Sequence, residues 1–171
     1  MNLREEILEE HSKLRCQKIT EWVGKSQPRF DELFAIFMEE ESILTQRASW
    51  PLSNCVELHP SLIENKFDQL IKKLHTTPLH DAIKRNSMRL LQFTTIPEKF
   101  EGEIMDICFK FLESPKETLS VKVFSLYILA KLAKKYPDIS SEIKLLIDEQ
   151  LPHQSAGFKI AVRKVLKVLG K

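Results

Sequence analysis

The sequence predicts an all-α solenoid, a row of about four and a half helical hairpins. Three observations carry that prediction. Pro78, Pro115 and Pro152 stand 37 residues apart, and helix-like text follows each of them. Apolar residues recur at three- and four-residue intervals through most of the chain, which is the period of one helix face. Only 4 of the 171 residues are glycine, too few for the primed turns that hairpin-rich β folds require. The clearest unit runs from Pro115 to Pro152, two helices separated by Tyr136-Pro137-Asp138.

Residues 2–24 read as a long helix with a weak point near His11-Ser12, and Cys16, Ile19, Trp22 and Val23 share its later face. Pro28 suits a first helical turn, where its missing N–H has no partner to lose, and opens a helix over 28–40. Phe30, Leu33, Phe34, Phe37 and Met38 form the apolar side of that helix. Glu39-Glu40-Glu41 closes it, acid at the negative end of a helix dipole, which asks for a basic neighbour. A helix over 42–58 carries Leu44, Ala48, Leu52, Cys55 and Val56. Pro51 falls inside it, where the ring removes a hydrogen bond and kinks the axis.

Ser61 and Glu64 have capping-box spacing at the head of a helix over 61–75 that packs Ile63, Phe67, Leu70, Ile71 and Leu74. Thr77-Pro78 opens the next pair. Its first helix carries Ile83, Ser87, Leu90, Leu91 and Phe93; its second, after Pro97, carries Phe100, Ile104, Ile107, Cys108, Phe111 and Leu112. Ser114 and Glu117 offer another capping box. The helix over 117–135 is apolar nearly all round, which predicts burial on more than one side. Its partner over 139–151 uses Ile143, Leu146, Ile147 and Leu151, and a last helix over 154–169 has no partner.

Laid over one another, these pairs keep register. An offset of 37 carries Ile63, Phe67, Leu70, Ile71 and Leu74 onto Phe100, Ile104, Ile107, Cys108 and Phe111. An offset of 39 carries Ile104, Ile107 and Cys108 onto Ile143, Leu146 and Ile147, and one of 33 carries Phe30, Phe34, Phe37 and Met38 onto Ile63, Phe67, Leu70 and Ile71. In the first helices Ser87, Phe124 and Ala161 are 37 apart, as are Leu91, Ile128 and Val165. The expected repeats are 1–40, 41–76, 77–114, 115–151 and 152–171, in a single domain.

On this period the chain resembles the HEAT-like, armadillo-type repeat families. The first helices add a basic residue ahead of small or apolar positions, as in Gln46-Arg47-Ala48, Lys84-Arg85-Asn86-Ser87, Val121-Lys122-Val123 and Phe158-Lys159-Ile160-Ala161. The resemblance implies a right-handed α-α superhelix, in which a proline kink such as that at Pro51 also occurs. Of the aspartate often found near the inter-helix turn of these repeats, only Asp138 is a clear counterpart. Tetratricopeptide repeats are disfavoured by the longer period.

Composition is that of an ordinary globular protein, 43% hydrophobic and 29% charged, with a net charge of +2. That balance advertises neither nucleic acid nor membrane. Residues 1–75 hold ten basic against thirteen acidic residues, net −3, and residues 76–171 hold sixteen against eleven, net +5, a mild charge gradient. Cys16, Cys55 and Cys108 lie far apart among apolar residues and read as reduced core thiols of a cytoplasmic protein. MNLREEILEEHSKLR lacks the apolar core of a signal peptide, and no run approaches a membrane span.

No phosphate loop, zinc spacing or nucleophile elbow is present, so no catalytic, cofactor or metal residue is expected. His75 and His80-Asp81 flank Pro78 but read as capping or surface residues. In the repeats that this chain resembles, second helices usually line the concave, binding side. The offsets then put Glu40, Lys73, Lys110 and Glu149 in one exposed row and Ile36, Gln69, Asp106 and Leu145 in another. Their mixed polarity suits a protein or peptide partner. On the last helix Lys159, Arg163 and Lys167 follow i, i+4 spacing with Lys164 and Lys171 nearby. A solubilising outer face is preferred there over a surface for phosphates or an acidic partner. The expected function is a non-catalytic protein- or peptide-binding scaffold. The alternative is a nucleic-acid-binding or DNA alkylation repair-type protein of the HEAT-like class. HEAT-like alkylpurine DNA glycosylases hold a lesion with aromatic residues and an acid; here Trp22 and Trp50 read as core packing on first helices, and no Trp/Asp/Arg group falls on the second ones.

Overall fold

The computed structural model describes residues 1–40 and 42–170. Among them the chain is all helix and turn, with no strand, and it divides into two compact units, Met1–Thr95 and Ile96–Lys171.

In the first unit the long opening helix is two. α1 (Leu3–Glu9) and α2 (Lys13–Val23) are separated at Glu10-His11-Ser12, where Ser12 Oγ accepts the Arg15 N–H at 3.2 Å and caps the second helix. Seven residues make a marginal helix alone. α1 is held by buried Leu3 and Ile7 and by Glu6, which pairs with Arg15 and, at 2.7 Å, with Lys18. Gly24 ends α2 with φ +50° and its N–H on the Thr20 carbonyl at 2.9 Å; a side chain is disfavoured in that region.

α3 (Gln27–Met38) follows with proline in its first turn, and Phe30, Leu33, Phe34, Ile36 and Phe37 are all buried. α4 (Ile43–Leu58) starts at a reciprocal cap: Ser42 Oγ accepts the Thr45 N–H, and Thr45 Oγ1 accepts the Ser42 N–H. The helix continues through Pro51, which is buried. α4 is the centre of this unit, packed against α1, α2, α3 and α6 (Asp81–Leu91).

The capping box expected at Ser61 and Glu64 does not form. Pro60–Lys66 winds as a 3-10 helix instead, with the Leu62 N–H on the His59 carbonyl, and the tighter turn buries Leu62 as well as Ile63. The α-helix begins only at α5 (Phe67–Leu74). His80 Nδ1 accepts the Ala82 N–H at 3.1 Å and starts α6. Phe93, expected on that helix, lies beyond its end and is 39% exposed.

The second unit is built around α8 (Leu119–Ala133), which packs against α7 (Glu98–Glu113), α9 (Ser140–Gln150) and α10 (Ala156–Leu169). Burial on several sides, predicted from its all-round apolarity, is observed: Val121, Leu126, Ile128, Leu129 and Leu132 are all buried. The last helix, which has no hairpin partner, lies against α8, with Phe158, Ala161, Val162 and Val165 buried. The second expected capping box is also absent. Ser114 Oγ accepts the Lys116 N–H at 3.3 Å, a local turn that competes with a helix start, and α8 begins after Thr118. Buried Lys122 donates to Gln150 Oε1 at 2.8 Å, and Gln150 Nε2 reaches the Leu112 carbonyl at 2.7 Å, satisfying an open end of α7.

All three cysteines are free and buried. Desolvation raises Cys16 to about 11 and Cys55 to about 12, and pushes Cys108 up as well. Glu101 of α7 accepts Lys135 Nζ at 2.8 Å and the Tyr136 hydroxyl at 2.5 Å. Lys135 first, then Tyr136, hold its carboxyl below the usual 4.5. A depressed carboxylate contributes stability above its unfolded pKa and loses it as pH falls through the folded value.

Phe34 is 2% exposed and its ring lies 6.2 Å from Phe30 and 6.0 Å from Phe37. Phe34→Ala should remove about 3–5 kcal/mol of stability in urea unfolding. Glu101→Gln should destabilise the chain at neutral pH, and the gap from the unsubstituted protein should close as unfolding is measured at pH values progressively below 4.5.

Candidate functional site

Several members of the expected second-helix rows are exposed. In the second unit Asp106 and Lys110 are exposed on α7 and line a cleft of about 530 Å³ closed on its far side by Ile139 and Glu142 of the α9 segment. The reason is the width of the apolar stripe of α7. Phe100, Ile104, Ile107, Cys108 and Leu112 fill the core, while Met105 and Phe109, one turn apart on the shoulder of that stripe, remain half-buried in the cleft. The rim carries Asp106, Glu113 and Glu142 against Lys110. Two half-buried apolar side chains inside a rim of mixed sign can seat an apolar anchor and select the charges around it. Leu145 and Glu149 are exposed on α9, as expected, but neither lines this cleft.

In the first unit Glu40 and Gln69 are exposed, and two members of the expected rows are not. Ile36 is 4% exposed and belongs to the core. Lys73 is 7% exposed, with Nζ donating to the Glu39 carbonyl at 2.6 Å and lying 5.4 Å from the centroid of Phe37. Offset arithmetic places Lys73 outside. The open carbonyl end of α3 draws its ammonium in, and the long alkyl stem allows it. Here too is the basic neighbour that Glu39-Glu40-Glu41 called for, with Glu41 itself outside the described residues. Arg4 grips Glu39 through two hydrogen bonds of 2.5 and 3.0 Å and holds its carboxyl below the usual range, the Arg4 hydrogen bond being the main cause.

A second cleft, of about 470 Å³, was not anticipated from the sequence. It lies on the first helices of the same unit, where Lys13, Gln17 and Glu21 of α2 face Trp50, Asn54 and Glu57 of α4 and Arg89 of α6. Arg89 fans out to Ser53 Oγ at 2.6 Å, to Asn54 Oδ1 at 2.7 Å and to Glu57, and Asn54 Nδ2 reaches Cys16 Sγ at 3.2 Å. Deeper in, Asn86 donates to Ser49 Oγ at 2.8 Å, and Ser49 donates to the Gln46 carbonyl at 2.6 Å. The signal for this cleft was the i, i+4, i+7 spacing of Trp50, Asn54 and Glu57, which shares one helix face. Trp22 and Trp50, expected in the core, are both half-buried; Arg29 stacks on Trp22 at 5.0 Å, and His11 meets Trp50 edge-on at 5.6 Å.

Lys159, Arg163, Lys164 and Lys167 are all exposed on α10. Lys164 and Lys167 face depressions shared with α8, and Lys159 and Arg163 line neither. Lys171 lies outside the described residues. Among the described residues no group of three or more His, Cys, Asp or Glu side chains is placed to hold a metal ion, and no helix is long and apolar enough to cross a membrane.

Lys73→Ala should lower stability by about 1–3 kcal/mol, since it removes a buried charged hydrogen bond to an open carbonyl. Thermal unfolding measured on the variant checks this. The same substitution should leave any ligand affinity of the α7–α9 cleft unchanged.

Compared with known families, residues 3–169 match the model of the HEAT repeat domain. No curated protein and no solved structure matches the chain.

Proposed function

From the premise that the chain belongs to the HEAT repeat domain family, we propose that it is a non-catalytic protein- or peptide-binding scaffold working through its second-helix face. The observation that carries this reading is the α7–α9 cleft, with Met105 and Phe109 as a half-buried floor and Asp106, Lys110, Glu113 and Glu142 on the rim. HEAT repeats generally mediate protein interactions. Stacked hairpins supply a rigid surface, so little entropy is lost on ordering the binding side. An apolar floor favours a side chain over a phosphate, and a rim that mixes three carboxylates with one ammonium would repel a uniform polyanion. Glu149 in the same unit, and Glu40 and Gln69 on the second helices of the other unit, are exposed candidates for further contacts. A cytoplasmic setting fits three free, buried thiols.

A second reading has one specific observation behind it. Trp50, Glu57 and Arg89 line the cleft on the first helices, an aromatic, an acid and an arginine of the kinds a HEAT-like nucleic-acid or DNA alkylation repair protein would need. Against it stands the pairing of Arg89 with Glu57, which leaves little free positive charge for a phosphate backbone.

The two readings separate in one experiment. Peptides selected from a displayed random library against the full chain should lose about tenfold or more in affinity on Phe109→Asp and keep it on Trp50→Ala. Duplex DNA should show no mobility shift even at low salt. A selection in which no peptide loses affinity on Phe109→Asp would overturn the assignment of binding to the α7–α9 cleft, and DNA binding abolished by Trp50→Ala would favour the second reading.

A further inference from the structure

Two adjoining depressions run between α8 and α10 in the second unit. The larger, of about 590 Å³, is lined by Ala130, Ala133, Lys134, Lys167, Val168 and Leu169, with Pro137 and Ser140 at one end. The smaller, of about 160 Å³, adds Tyr127, Lys131, Lys164 and Val165. Ala130, Lys134 and Val168 belong to both, so they form one continuous groove. Its combined size falls in the range of about 300–1,000 Å³ typical of ligand clefts. No carboxylate lines it among the described residues.

Lys134, Lys164 and Lys167 of this groove have no acid beside them among the described residues, unlike four of the paired lysines elsewhere in the chain. Lys18, Lys66, Lys84 and Lys135 each meet an acid within 3.1 Å. Lys135, adjacent to Lys134, is committed to Glu101. Lys134, Lys164 and Lys167 have no ion pair among the described residues and are exposed on both walls. Desolvation first, and the neighbouring charge of Lys134 second, pull Lys131 below its usual range. Like charges gathered beside low-dielectric walls raise the local attraction for an anion. The floor is apolar: Ala130, Ala133 and the 38% exposed Val168 offer no donor to a phosphate.

We propose that the α8–α10 groove docks an acidic amphipathic peptide segment, whose apolar side chains cover Ala130, Ala133 and Val168 while its carboxylates meet Lys134, Lys164 and Lys167. The basic rim and apolar floor are complementary to that occupant together. A duplex or a free polyphosphate satisfies the rim alone. The groove is distinct from the α7–α9 cleft and its occupancy does not depend on that reading.

The test uses the full chain and a dye-labelled synthetic helix with leucines at i, i+3 and i+4 flanked by glutamates, followed by fluorescence anisotropy. The peptide should bind, weaken steeply with added salt, and lose about tenfold or more in affinity on K134E/K164E/K167E. The neutral variant K134Q/K164Q/K167Q should fall between, and Val168→Asp alone should weaken binding comparably. Phe109→Asp should have no effect, which separates this site from the α7–α9 cleft. Because Lys134, Lys164, Lys167 and Val168 are all exposed, circular dichroism should show unchanged melting for the variants at those positions. The proposal fails if a glutamine-for-glutamate peptide binds equally well, if Val168→Asp leaves affinity intact, if duplex DNA competes as effectively as the peptide, or if the acidic peptide does not bind.

Discussion

A helix with apolar residues on more than one side is stable only when neighbours cover every such side. Two helices set this demand here, one in each unit. α4 is wrapped by α1, α2, α3 and α6, and α8 by α7, α9 and α10. Most of the remaining helices take their positions from the side of α4 or α8 that they cover, while α5 packs against α3 and α6. α1 illustrates the dependence: Leu3 and Ile7 give it a place against α4, and the ion pairs of Glu6 tie it to α2. The last helix follows the same rule, since α8 still has a face to cover after α7 and α9 have packed.

Buried polar groups are placed where these packings meet. Asn86, Ser49 and Arg89 link α6 to α4, and Asn54 links α4 to α2. Lys122, Gln150 and the Leu112 carbonyl join α8, α9 and α7 in the other unit. Each of these bonds is demanding in geometry, because a half-satisfied buried network is worse than none. They narrow the ways in which otherwise similar apolar stripes can slide past one another.

Helix identity was legible because apolar spacing is a property of the chain itself. Ile143 and Ile147, or Phe158, Ala161 and Val165, declare a buried stripe without knowledge of the neighbour. Helix starts were less legible. Ser61-Glu64 and Ser114-Glu117 had capping-box letters yet formed a 3-10 turn and a local Ser114–Lys116 turn, while the box that did form used Thr45 in place of the usual glutamate or glutamine. The candidate site was half legible. Asp106 and Lys110 sat where the repeat offset put them, but Met105 and Phe109, which give the cleft its floor, were not singled out. Lys73 and Ile36 went astray because offsets describe one repeat in isolation. Whether a lysine lies out or folds inward depends here on a carbonyl end contributed by α3, in the preceding repeat, and no periodicity records that.

The thiols carry a consequence of a different kind. Cys16 and Cys55 lie in one unit and Cys108 in the other, all buried, and burial pushes all three thiols above their ordinary range. A small alkylating reagent in the medium therefore meets each sulfur only while its surroundings are transiently open. Nature has left a stopwatch in either half of the chain. The pace at which Cys108 becomes labelled, set beside that of Cys16 and Cys55, reads out whether the halves breathe independently or come apart as one.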